Sequence, residues 1–240
     1  MLPDSGAAQV DLGSGMSVTV LGPSKQRISE LLQYWLKQLE SGQSGAGVSP
    51  DKVEELTIEP FSSDRIRILG GKELVAQPAA YVDASVANLA SIVLMLELGG
   101  KSILLTSDGR GDEILAGLAR GGYLSVDGAA HVDLMTLPHQ GSDRNVTGEF
   151  FRAVTADSYV ISGNGSHGNP EPATLSMLTE ARGDARYAMY FTNSEGKEDL
   201  SQRLQDFFSS EGNLGRRYEV HFRAQGQSSM KVNLVGKLRD

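Results

Sequence analysis

Apolar positions along the chain follow two rhythms, and the switches between them mark its elements. Residues 16–21 (MSVTVL) alternate and are β-branched, which predicts a strand ended by Gly22-Pro23-Ser24. Ile28, Leu31, Leu32, Trp35, Leu36 and Leu39 recur at helical spacing, which predicts a helix over 27–39 with Trp35 as a core anchor. Residues 1–15 are small and polar and read as a ragged entry, and 41–49 (SGQSGAGVS) as a flexible insert. The stretch 51–80 is charged and weakly periodic, with a short strand expected near 65–69.

From residue 88 the pattern sharpens. Residues 91–98 and 102–106 are apolar almost throughout and joined by Gly99-Gly100, which predicts a hairpin with both faces covered. A helix capped by Asp112 follows, with Ile114, Leu115 and Leu118 inward and Gly121-Gly122 at its end. Strands are expected over 132–137, 159–162 and 187–191. Helices are expected after Thr147, from Pro172, and around Leu200, Leu204, Phe207 and Phe208. Residues 218–222 and 230–235 read as closing strands, paired as a hairpin. Strands alternating with helices predict a layered α/β fold.

Composition narrows the chemistry. A chain of 240 residues can bury a real core. A net charge of −8 argues against a broad basic face and so against nucleic-acid binding by charge alone. An enzyme that grips phosphates through a metal needs no such face. The absence of cysteine rules out disulfides and thiolate metal sites, leaving histidine and carboxylate ligands, which suit zinc, manganese or iron. No run is long enough to span a bilayer, and the N-terminus lacks the basic segment and apolar core of a secretory signal, which gives a cytoplasmic reading.

Three polar clusters each follow a short apolar run, as at the mouth of buried strands. Asp108 follows Ile103-Leu104-Leu105-Thr106 and is either a metal-binding carboxylate or a turn cap. His139 follows Pro138 and precedes Gln140-Gly141-Ser142; it is either a ligand or proton-transfer group, or a loop histidine bonded to backbone. His167 lies in a glycine-rich loop (GNGSHGNP) that either admits a substrate closely or merely connects. Asn88 and Ser91 open the block as turn residues that can also bond near this rim. His131 and His221 sit at strand edges and read as non-ligands. Gly99-Gly100-Lys101-Ser102 lacks the upstream glycine of a P-loop, since Met95 stands there.

The combination is more specific than its parts. An Asn-x-x-Ser opening, a Gly-Gly hairpin, Leu-Leu-Thr-Ser-Asp, then Leu-Pro-His-x-Gly-Ser and a glycine-rich loop ending in Asn-Pro resembles the metallo-β-lactamase-fold hydrolases. The resemblance covers about residues 88–191 and is closest to the branch that includes the hydrolase domain of DNA-uptake (competence) proteins. It implies an αββα sandwich, with Asp108 as a bridging catalytic carboxylate, His139 as a metal ligand, and His167 in substrate contact or proton transfer. Ser107 replaces the family's glycine and Gln140 the second histidine of a pair. The family's His-x-His-x-Asp-His loop has no counterpart, because no histidine precedes His131.

The resemblance therefore implies a sandwich with an incomplete first half. Residues 1–80 would be a remnant of the N-terminal half carrying the helix and insert, and 81–240 the C-terminal half. It implies a portion of a metal-dependent hydrolase for phosphodiester or related ester bonds, using divalent zinc (or manganese or iron) if its site is completed. With two protein ligands, the isolated chain is expected to bind metal weakly or not at all and to show little activity. The alternative is a non-catalytic pseudo-enzyme or interaction module. Expected partners are the missing N-terminal half or another protein, and a nucleic-acid or nucleotide substrate; no membrane is expected. Apolar surface should be exposed where the first layer is missing.

Overall fold

The computed structural model describes residues 8–40, 81–211 and 218–235. The chain enters through a hairpin. Strand β1 (Ala8–Gly13) pairs antiparallel with β2 (Met16–Gly22), and Gly13, Ser14 and Gly15 turn the corner at φ of 82°, 53° and 76°. The expected ragged entry is thus a strand from Ala8 onward: Gln9, Asp11 and the Gly-Ser-Gly turn mask an alternation that Val10 and Leu12 carry. Helix α1 (Lys25–Glu40) follows. The insert expected over 41–49 and the strand expected near 65–69 lie outside the described residues.

The chain resumes with a one-turn helix, α2 (Val86–Leu89), whose Ser85 cap accepts from Asn88 N, and it shortens the next strand to β3 (Val93–Leu98). Then come β4 (Lys101–Leu105), α3 (Gly111–Arg120), β5 (Ala130–Thr136), α4 (Gly148–Ala153), β6 (Val154–Ile161), α5 (Pro172–Arg182), β7 (Tyr187–Phe191), α6 (Leu200–Glu211) and β8 (Tyr218–Phe222). Thr147 caps α4 by accepting from Phe150 N, as its position predicts. Asp112 does not cap α3. Arg110 takes that place, and Asp112 sits in the first turn with both oxygens on the Arg110 guanidinium at 2.8 Å.

The eight strands of the described residues form one mixed sheet in chain order, antiparallel from β1 to β4 and parallel from β4 to β8. The expected closing hairpin is overturned. β8 runs parallel to β7 after the α6 crossover, and residues 230–235 are irregular rather than a strand. Arg223 caps this end instead, bonding the carbonyls of Thr192 and Gln227.

The core lies on one face. Thr19, Met95, Leu104, Met135, Tyr159, Met189 and Val220 stand in register across seven strands. The buried residues of α3–α6, among them Ile114, Phe150, Leu178 and Leu204, pack into the same cluster. Gly117 lets α3 approach β2, since a Cβ there would lie 2.6 Å from the Leu21 carbonyl oxygen. The next register row, Val18, Leu96, Ile103 and Leu134, faces away from this cluster. Val18, Leu96 and Ile103 are only half-buried, as are Val20, Leu94 and Leu105 beside them. The fold is therefore α/β, a mixed sheet flanked by helices, and among the described residues it is a single sheet.

Helix α1 departs from expectation most clearly. Its inward side carries Arg27, Leu31, Tyr34 and Gln38, and its apolar side faces solvent. Trp35 is 53% exposed and is not a core anchor. Arg27 explains the rotation. Its buried guanidinium donates to Glu113 on α3 and to Glu30, which turns the helix polar side in. Among the described residues, no helix is long and apolar enough to cross a membrane.

Candidate functional site

Strands β4, β5 and β6 are adjacent and parallel, so the loops leaving them meet at one rim of the sheet. These are the loops of Asp108, His139 and His167. At the base, Thr106 donates from its N to Thr136 Oγ1 (2.9 Å) and from its Oγ1 to the Thr136 carbonyl (2.8 Å). His139 N donates to the Ser107 carbonyl at 2.9 Å, tying the first loop to the second. Asn169 Nδ2 donates to the His139 carbonyl at 3.1 Å and Glu171 N to the Gly141 carbonyl at 2.9 Å, tying the second to the third.

The backbone here is held in an unusual conformation. Ser107, His139, Gln140 and His167 have φ of 47°, 45°, 57° and 57°, the left-handed region that non-glycine residues seldom occupy. Such conformations cost free energy and persist only where the surroundings impose them, and they cluster at functional sites. Gly141 continues the turn at φ 91°, and a Cβ there would lie 2.7 Å from Pro170 Cβ. The residue where the resembled family has glycine, Ser107, is among the left-handed ones.

His139 is fixed by groups that the sequence patterns did not single out. Its Nδ1 lies 3.0 Å from Asn145 Oδ1 and 3.4 Å from Asp83 Oδ2. Asn145 Nδ2 in turn donates to Asp83 Oδ2 (2.8 Å) and to the Asp108 carbonyl (3.2 Å). Asp83 also accepts from Ser85 N and from Asn88 Nδ2, both at 2.9 Å. Asn88 therefore does bond near the rim, whereas Ser91 N bonds only the Asn88 carbonyl.

Electrostatics follow from these contacts. Burial alone would raise the Asp83 carboxyl pKa, but the bonds from His139, Asn88, Ser85 N and Asn145 outweigh it and hold Asp83 well below the usual carboxylate range. The bond to Asp83 raises the His139 pKa against the effect of burial, and the charge of Asp108 adds to the rise. With Nδ1 committed to Asp83 and Asn145, the imidazole presents Nε2. An outer carboxylate orienting a histidine in this way is the usual support of a metal-ligating ring.

The third loop is held from below. Arg203 donates from Nη1 to the Gly168 carbonyl, and His167 N donates to Glu198 Oε1 at 3.2 Å. The His167 side chain is exposed and is not part of the Asp83–Asn145–His139 network. Glu171, at the head of α5, accepts from Asp143 N at 3.3 Å. Burial, reinforced by the Asp143 carboxyl, pushes the Glu171 pKa up to about 7. His131 pairs with Asp157 at 3.2 Å, and His221 with Glu219 at 3.1 Å while stacked on Tyr190; neither bonds Asp83, Asn145 or His139.

The rim thus holds the two residues that the resemblance implies as metal ligands: His139, and Asp108, whose carbonyl accepts from Asn145 and whose charge reaches His139. Among the described residues there is no group of three or more histidine or carboxylate side chains that could hold an ion. Zinc sites take three or four protein ligands, so the described residues do not by themselves fit a metal ion. No known protein family, curated protein or solved structure matches this chain.

Proposed function

We propose that this chain is the C-terminal portion of a metallo-β-lactamase-fold hydrolase that acts on phosphodiester or related ester bonds. The observation that carries the reading is the support of His139. A buried carboxylate and a carboxamide hold its Nδ1, and the Asp108 loop is bonded through Asn145 into the same network. In this reading Asp108 and His139 contribute two ligands to a centre for zinc (or manganese or iron). The remaining ligands come from polypeptide outside these 240 residues, and His167 stands ready for substrate contact.

The half-buried apolar row of Val18, Leu96 and Ile103 supports the αββα reading, because a second sheet would cover it. The same features suit a second reading, a pseudo-enzyme that binds a protein or nucleotide on this fold. Two ligand positions without a third histidine or carboxylate beside them among the described residues are its specific support.

The reading frame just upstream is the first test. A hydrolase portion requires a His-x-His-x-Asp-His pattern there. Metal-dependent hydrolysis of a phosphodiester such as bis-p-nitrophenyl phosphate is then expected once that segment is co-expressed with this chain, abolished by Asp108→Ala. An upstream frame without that pattern, or turnover indifferent to Asp108→Ala, would sink the hydrolase reading.

A further inference from the structure

Helix α1 carries a surface that the site does not use. One side of the helix is pinned: Arg27 donates from Nε and Nη2 to Glu113 Oε1 on α3 at 2.8 and 2.6 Å, and from Nη1 to Glu30 at 2.8 Å. The opposite side exposes Ile28, Leu32, Trp35, Leu36 and Leu39 by 36%, 51%, 53%, 59% and 68%. The two bonds from Arg27 to the single Glu113 Oε1 set the rotation of the helix, so this exposure is built in.

The stripe has the shape of a seam. Ile28, Leu32, Trp35 and Leu39 are spaced four, three and four residues apart, the d-a-d-a rhythm with which one helix interdigitates with another. The positions flanking that seam are Ser29, Leu31, Leu36 and Gln38, none of them charged. A partner that selects by charge would find no complement along it. On a molecule of net charge −8, a neutral strip lets a second copy approach without like charges meeting.

We propose that α1 is a self-association surface, on which a second copy of this chain lays its own α1 antiparallel about a two-fold axis. Ile28 then packs against Leu39 of the second copy, and Leu32 against Trp35. The antiparallel arrangement sets d positions against a positions and opposes the two helix dipoles. Five partly exposed apolar side chains offer on the order of 400 Å² per copy. Two copies together bury roughly 800 Å², short of the ~1,200–2,000 Å² of stable interfaces. The dimer is therefore reversible, forming at micromolar concentration or above.

Sedimentation velocity of the chain over roughly 1–200 µM tests this, a range that spans weak association. The wild type moves from monomer to dimer, while Leu32→Glu and Trp35→Glu stay monomeric throughout. Val126→Glu, at an apolar residue 84% exposed elsewhere, dimerises like the wild type. Trp35 is the single tryptophan, so its emission shifts to the blue with rising concentration in the wild type, a readout that needs no variant. A wild type that stays monomeric at the highest concentration overturns the proposal and means that something else covers the stripe. A dimer that survives both α1 substitutions also overturns it and points to the open face of the sheet.

Discussion

Asp83 is the residue on which the rim depends. It accepts from Ser85 N, Asn88 and Asn145 and pairs with His139, although its side chain is almost fully buried. Removing it strands several donors, so Asp83→Ala should lower stability by about 3 kcal/mol, read from urea unfolding at neutral pH. Ser107→Gly should act the other way. It relieves a left-handed serine and should add about 1 kcal/mol in the same assay. Glu171 makes the pH dependence asymmetric. Its folded pKa of about 7 lies above the ordinary glutamate value of 4.5, so its contribution is favourable below the lower value and is lost as pH rises through 7. Glu171→Gln should therefore raise the melting temperature more at about pH 8 than at about pH 5. A gain that is the same at both pH values would contradict the raised pKa.

At the scale of elements, the sequence was most legible where periodicity and burial agree. The strand at Tyr187–Phe191, the Thr147 cap and the helix from Pro172 stand where the pattern puts them. Helix α1 also forms where predicted, but its apolar stripe points outward, because periodicity reports a face and not what the face meets. One buried guanidinium decided the rotation, and an arginine within a helical run carries no sign of that. Arg27→Ala should cost about 2 kcal/mol, since Glu113 and Glu30 remain partly solvated, and thermal unfolding followed by circular dichroism checks it. Of the candidate site, Asp108, His139 and His167 were visible as polar residues at the ends of apolar runs. Asp83 and Asn145 were not, because their role depends on a contact between residues 62 positions apart. The Asp-x-Ser spacing before α2 was the one local signal, an aspartate accepting from the backbone of a helix cap.

At the scale of the molecule, the sheet has one finished face and one that is apolar but open among the described residues. Its rim holds a supported histidine and a carboxylate but no third ligand among the described residues. In the proposed hydrolase these two features have one cause: the missing layer and the missing ligands would arrive on the same polypeptide. Zinc titration of this chain alone, by isothermal calorimetry, tests that most directly, comparing the wild type with Asp108→Ala and His139→Ala. An incomplete site predicts weak binding, with a Kd of roughly 0.1 mM or higher, abolished by either substitution. Tight stoichiometric binding would contradict the incomplete site, and weak binding indifferent to both substitutions would contradict the assignment of Asp108 and His139.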